Sequence, residues 1–145
     1  MEIRVDEDNR VALTPFETSD YAEPSLAVRV EIAGNGFTAR AREVWFWLAK
    51  PRGFVDALER LERDRSGEAM LTSMGPNEFI LTIRIADRAG HVVLGATLQW
   101  PVYGVLPQGG PFDHSVLLGF ALDPTMLPRI LRDFQELLAY RRPVP

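Results

Sequence analysis

From Ser25 onward, apolar and polar positions alternate: Leu26, Val28, Val30 and Ile32 stand against Ala27, Arg29, Glu31 and Ala33. A period of two is that of a strand with one buried face. Gly34-Asn35-Gly36 follows, and an Asn-Gly pair accepts the positive φ angles of a type I′ hairpin turn. With Asn35 and Gly36 as the loop, Glu31 falls opposite Arg40, Ile32 opposite Ala39 and Val30 opposite Ala41. This register puts apolar residues on one face and charges on the other, and a slip by one residue would mix them. A second hairpin is predicted from Glu78–Ile85 and Val92–Trp100 around Asp87-Arg88-Ala89-Gly90, pairing Ile85 with Val92, Ile83 with Leu94, and Leu81 with Ala96. Ser115 to Leu122 is apolar on both faces after its serine, the pattern of a central strand. Glu2–Val5 and Arg10–Thr14 read as short edge strands, Thr14–Pro24 as a loop, and Pro101–Pro111 as an irregular Gly/Pro-rich loop.

The period lengthens in two places. Between Pro51 and Arg65, Phe54, Leu58 and Leu61 mark a buried helical stripe, and Ser66-Gly67 stops it. After Asp123, Leu127, Ile130, Leu131, Phe134, Leu137 and Leu138 recur at three- and four-residue steps. Thr125 as N-cap places Pro128 at the third helical position, where a missing backbone donor costs little. These elements predict an α+β fold: one antiparallel sheet or shallow sandwich with two helices, the C-terminal one packed on the sheet. At 145 residues the expected organisation is a single domain, residues 1–145.

Composition removes several kinds of chemistry. With no cysteine there are no disulfides, thiolate metal sites or cysteine nucleophiles. The charged stretch Met1–Arg10 lacks the apolar core of a signal peptide, and no segment reaches the roughly 20 apolar residues of a membrane span. A cytoplasmic location without membrane partners is expected. Two histidines are too few for a His-rich metal site, and His91 reads as a hairpin residue. Asp113-His114-Ser115 has the letters of a hydrolase triad, but neighbouring strand residues point to opposite faces and cannot converge. Asp6-Glu7-Asp8-Asn9 lacks the glycine and distant glutamate of a calcium loop. Gly34-x-Gly36-x-x-Ala39 precedes a strand rather than a helix, so it is no dinucleotide fingerprint. No catalytic residue, metal or cofactor is predicted.

Charge is unevenly placed along the chain. Residues 1–31 carry eight acids and three arginines, whereas the remainder carries 12 acids and 13 bases. An acidic end disfavours nucleic acid as a partner and favours a basic protein. Trp45-Phe46-Trp47 places Phe46 on one strand face and both tryptophans on the other; burial in the core and a role as interface anchor are both compatible with it. Tyr103, at the head of the long loop, presents the same choice.

Leu26-Ala-Val-Arg-Val-Glu-Ile32, Gly36-Phe37-Thr-Ala-Arg40 and the Phe54-Val-Asp-Ala-Leu58 helix follow in order. Gly67-Glu68-Ala69, Phe79–Ile85, Gly90-His91-Val92 and the final Leu127–Leu138 helix come after them. In this order and in these residues the chain resembles the WapI-type immunity proteins of bacteria and related proteins of unknown function, over roughly residues 11–140. The resemblance implies a non-enzymatic protein that binds and neutralises a cognate toxin domain made by the same cell. A nuclease toxin is commonly basic, which suits a masking surface that carries acids. On that reading the partner-binding residues are Asp6, Glu7, Asp8, Glu17, Asp20 and Glu23, with Trp45 and Tyr103 as aromatic anchors. The alternative is a small ligand-binding domain or enzyme with its pocket under the 101–111 loop.

Overall fold

A computed structural model describes residues 1–103 and 111–143; within these, side chains are described for 1–100 and 114–143. The chain forms β1 (Glu2–Arg4), β2 (Arg10–Ser19), β3 (Ser25–Gly34), β4 (Phe37–Trp47) and α1 (Ala49–Asp64). These are followed by β5 (Glu68–Thr72), β6 (Phe79–Ile85), β7 (Val92–Tyr103), β8 (Pro111–Leu122) and α2 (Leu127–Leu138). Two antiparallel four-stranded sheets result: sheet A in the order β1-β2-β3-β4 and sheet B in the order β5-β6-β7-β8. The α+β class and the helix-covered sheets agree with the sequence pattern, and the two packed sheets are the sandwich it allowed.

Both predicted hairpin registers are present. Glu31 pairs with Arg40, Ile32 with Ala39 and Val30 with Ala41. Asn35 and Gly36 turn at φ 47° and 89°, the signs a type I′ loop requires. Ile85 pairs with Val92, Ile83 with Leu94, and Leu81 with Ala96.

Other expectations need correction. Thr14–Ser19 is not loop: β2 runs on to Ser19, and it lies between β1 and β3 rather than at an edge. Pro15 is accommodated because the ladder slips between Pro15 and Glu17, a bulge that spares the missing donor. The short strand β5, with Ala69 and Leu71 inward, was too brief to stand out by period. The strand containing Ser115–Leu122 is not central. It is the edge strand β8, and its Leu117 is 75% exposed. Pro101–Tyr103 and Pro111 belong to strands rather than to an irregular loop, pairing Pro101 with Asp113 and Tyr103 with Pro111. Residues 104–110 lie outside the described residues.

Helix α1 begins two residues before Pro51 and ends on Arg65 in the left-handed region, φ 52°. Thr125 is not the N-cap of the last helix. Asp123 caps a 3-10 turn, Pro124–Met126, by accepting from the Thr125 amide at 2.9 Å. Helix α2 then starts at Leu127 with Pro128 second, still within the free donors of the first turn.

The core lies between the sheets and is closed by the helices. Phe46 of sheet A meets Phe79 of sheet B edge to face, ring centroids 6.0 Å apart. Gly34 of β3 sits so close to Phe120 and Leu118 of β8 that a Cβ there would lie 3.0 Å from the Phe120 ring. Helix α1 buries Pro51, Phe54, Val55, Leu58 and Leu61. Helix α2 buries Leu127, Ile130, Phe134 and Leu137. Helix α1 packs on β5 and on α2, and Ile130 belongs to the same buried cluster as Ile3 of β1. With core residues inward, the outward positions of sheet A are left facing solvent.

Candidate protein-binding surface

Strand alternation decides which side chains reach that outer face. Along β2 and β3, Val11, Leu13, Val30 and Ile32 point into the core, so Arg10, Ala12, Thr14, Arg29 and Glu31 point outward. Strand order then brings Glu2, Ala12, Glu31 and Arg40 into one row across four strands. Because Ala12 is short and lies between longer neighbours, the row is hollow at its middle.

The hollow has a volume of about 620 Å³, with Ala12, Val30 and Ala41 in its lining. Around them stand Arg4, Arg10, Arg29, Arg40 and Arg42, against two carboxylates, Glu2 and Glu31. Glu31, 26% exposed, pairs with Arg10 through one oxygen and with Arg40 Nε at 2.6 Å through the other. The hydrogen bond from Arg10, helped by the charge of Arg40, holds the Glu31 carboxyl below its ordinary range. Arg4 Nε pairs with Glu2 at 2.6 Å. Arg29 lies over the Phe16 ring, 5.2 Å from its centroid.

The predicted partner-binding acids fall at the two ends of β2 and do not gather in one patch. Asp6, Glu7 and Asp8 form the β1–β2 turn. There the Asp6 carboxylate accepts from the amides of Asp8 and Asn9 at 2.9 and 2.8 Å. The Asn9 side chain also donates to it, and these bonds hold its pKa low. At the other end, Asp20 and Glu23 are exposed in the β2–β3 turn. Glu17 shares a cross-strand row with Ala27 and Trp45, and it pairs with Arg142 at 3.7 Å. Across ten strand residues the two groups stand roughly 30 Å apart.

The aromatic cluster divides between core and surface. Phe46 is fully buried. Trp45 is half-buried on the outer face, its Nε1 donating to Glu43 Oε1 at 2.6 Å, and Trp47 is 38% exposed. The two tryptophans and the Glu17 row make one aromatic and acidic end of sheet A. Tyr21, 89% exposed in the adjoining turn, belongs to that end and was not singled out from sequence. Neither were the five arginines of the hollow. The signal available was the outward positions of the first hairpin, Arg29, Glu31, Arg40 and Arg42. Tyr103 closes β7, and its side chain lies outside the described residues.

A second concavity, about 530 Å³, opens where β4 faces β7 and β8, whereas the pocket expected under the 101–111 loop falls on residues 104–110, outside the described residues. Arg40, Leu98, Trp100, His114 and Ser115 line it. Among the described residues it brings no nucleophile and base together: His114 pairs across the strands with Trp100 and Ser115 with Gln99, so the two alternate in direction. His91 serves its hairpin, with Nδ1 2.6 Å from Asp87 Oδ2. Among the described residues no three His, Cys, Asp or Glu side chains are grouped to hold a metal. No helix among them is long and apolar enough to cross a membrane.

The family model for the immunity protein WapI-like family matches residues 2–140. Comparison with curated proteins and with solved structures found no match in either. The match spans every element described above, and the chain belongs to the WapI-like immunity protein family.

Proposed function

We propose that this member of an immunity protein family binds one cognate toxin domain and neutralises it by covering its active site, without enzymatic activity of its own. The family match over residues 2–140 carries this reading. The outer face of sheet A supports it as the docking surface. It is a broad four-stranded face left uncovered, with fixed charges and half-exposed aromatics close together. Its aromatic and acidic end supplies Trp45 as an anchor and Glu17, Asp20 and Glu23 as a charged rim. Asp6, Glu7 and Asp8 supply a second rim at the far end, and Tyr103, the last residue of β7 in the other sheet, is carried as a further anchor. Buried aromatic anchors hold most of the affinity of such interfaces, whereas charged rims set the rate of encounter. The partner is a toxin with a basic rim, such as a nuclease, and the site of action is the cytoplasm, where the toxin is made.

The test is co-expression with the toxin domain encoded beside this gene. Rescue of growth, together with a stoichiometric complex on size exclusion, is the expected result. Growth arrest with no complex would remove the immunity reading. Turnover of a small molecule, abolished by changing one residue of the Trp100–His114 concavity, would instead establish the ligand-pocket alternative.

A further inference from the structure

The hollow of sheet A holds an arrangement of charge that folding alone does not explain. The ladder passes from Val28–Val44 to Val30–Ala41, so at this irregularity Arg29 of β3 lies across from the Arg42–Glu43 stretch of β4 without a direct partner. Like charges placed opposite each other on neighbouring strands are destabilising. The adjacent carboxylate does not relieve them, because Glu43 accepts from Trp45 Nε1 instead. Among the described residues neither Arg29 nor Arg42 is ion-paired. Glu31 and Glu2 are already engaged by Arg10, Arg40 and Arg4. Stacking on Phe16 orients the Arg29 guanidinium, and among the described residues its edge donors have no partner. Two planar cations lining one preformed hollow, without an ion-pair partner among the described residues, suit bidentate capture of carboxylates.

We propose that this hollow is a carboxylate-docking site: Arg29 and Arg42 receive acidic side chains displayed on the surface of the toxin domain. The proposal rests on the immunity reading for the identity of the partner, but not for the chemistry of the site. Protein carboxylates fit better than the phosphates of a nucleic acid. Glu31 stands within the hollow, and acidic turns close both ends of the face. A phosphate backbone carries charge at every step and would run across these carboxylates. A protein surface can place its acids at the two arginines and basic groups over the two ends, which also makes the contact selective. The docking face thus reads acidic, basic, acidic along β2, and its partner carries the reverse order.

Two measurements on the full chain test this. In the first, arginine side-chain NMR signals are followed while a short polyglutamate peptide is added. The Arg29 and Arg42 signals should move, and R29Q/R42Q should abolish binding. Stronger movement with a single-stranded oligonucleotide of equal charge would overturn the proposal in favour of phosphate. No movement with either would overturn the site itself. In the second, R29Q/R42Q should weaken the complex with the adjacent toxin domain by at least about tenfold, as for interface arginines. Unchanged affinity would overturn the docking role while leaving the immunity reading in place. Failure of the unaltered chain to bind that toxin would remove the immunity reading, and the peptide arm would still decide the chemistry of the hollow. Removing two facing cations should leave the melting temperature of R29Q/R42Q unchanged or raised. A clear fall would show that the arginines are structural and overturn the proposal.

Discussion

Phe54 of α1 and Phe134 of α2 stand with ring centroids 4.6 Å apart, tilted by 55°. Both are almost wholly inaccessible, so this contact joins the two helices at the point where they close the core. Phe134→Ala should cost about 3–5 kcal/mol, the usual loss for a large buried aromatic. Phe54→Ala should cost a similar amount, and the double variant should show a coupling of about 0.5–1.5 kcal/mol. Denaturant unfolding of the four proteins measures both quantities. A loss under about 1 kcal/mol for Phe134→Ala would mean that α2 does not cover the core.

Gly34 is tested by adding one methyl group. Its Cβ would meet the Phe120 ring at 3.0 Å and Leu118 at 3.4 Å, both from the facing sheet. Gly34→Ala should destabilise by about 1–3 kcal/mol through overpacking. Gly53 has open space around its Cβ and lies inside α1. Gly53→Ala should therefore stabilise by about 0.5–1 kcal/mol, because glycine is the poorer helix former.

Acid should weaken the fold partly through Glu31. Arg10 and Arg40 lower its pKa in the folded chain, so its contribution is complete above the ordinary carboxylate pKa. It is lost as pH falls through the lowered folded value. Glu31→Gln should cost about 1 kcal/mol at neutral pH, since Glu31 and Arg10 are only about a quarter exposed while Arg40 is mostly in solvent. The difference from the unaltered chain should shrink toward zero in strong acid, as followed by thermal melts across pH.

Glu78 should behave in the opposite sense. Partial burial, with the charge of Glu43 nearby, raises its pKa. The folded state therefore favours its protonated form, and that advantage is lost as pH rises through the raised value. Glu78→Gln should increase the melting temperature at neutral pH and leave it unchanged well below the ordinary carboxylate pKa. A decrease at neutral pH would show that the carboxylate has a favourable partner.

Replacing Asp20, Glu17 and Glu23 with serine should slow association with the toxin and flatten its dependence on salt, because rim charges steer encounter. Asp6 makes a poor fourth member of that set. It organises its own turn, so Asp6→Ser should cost stability, whereas Glu7→Ser and Asp8→Ser should act on the association rate alone. Trp45→Ala should raise the dissociation rate. Stopped-flow kinetics at two salt concentrations separates the two effects.

The hairpins and helices were legible because each rests on short-range evidence. Asn35-Gly36 admits one turn, and the Val30–Ala41 pairing follows from it. The pattern was weaker wherever tertiary context decided. Thr14–Ser19 contains a proline and little alternation, and only the bulge opposite Val28 lets it remain a strand. Ser115–Leu122 looked central because Leu117 is apolar, yet Leu117 faces solvent on an edge. The acids of residues 1–31 were easy to count, but charge along a chain does not locate charge in space. Strand β2 sends them to opposite ends. The hollow was harder still, since its arginines come from four strands and meet only through the order β1-β2-β3-β4.

That order has a consequence for how the molecule is made. Each sheet is a meander, with every strand paired to its sequence neighbour, so loop-closure entropy is small and pairing can begin early. Once Trp47 has left the ribosome, sheet A has all its strands, including the proposed partner face. Its apolar side, with Val11, Leu13, Val28 and Val44, is then covered only where α1 meets β4, until sheet B and α2 have followed. A nascent chain halted between α1 and β5 should thus recruit chaperones through that bare apolar side. A partner docking on the proposed face at this stage would meet a surface already drawn but not yet braced from behind.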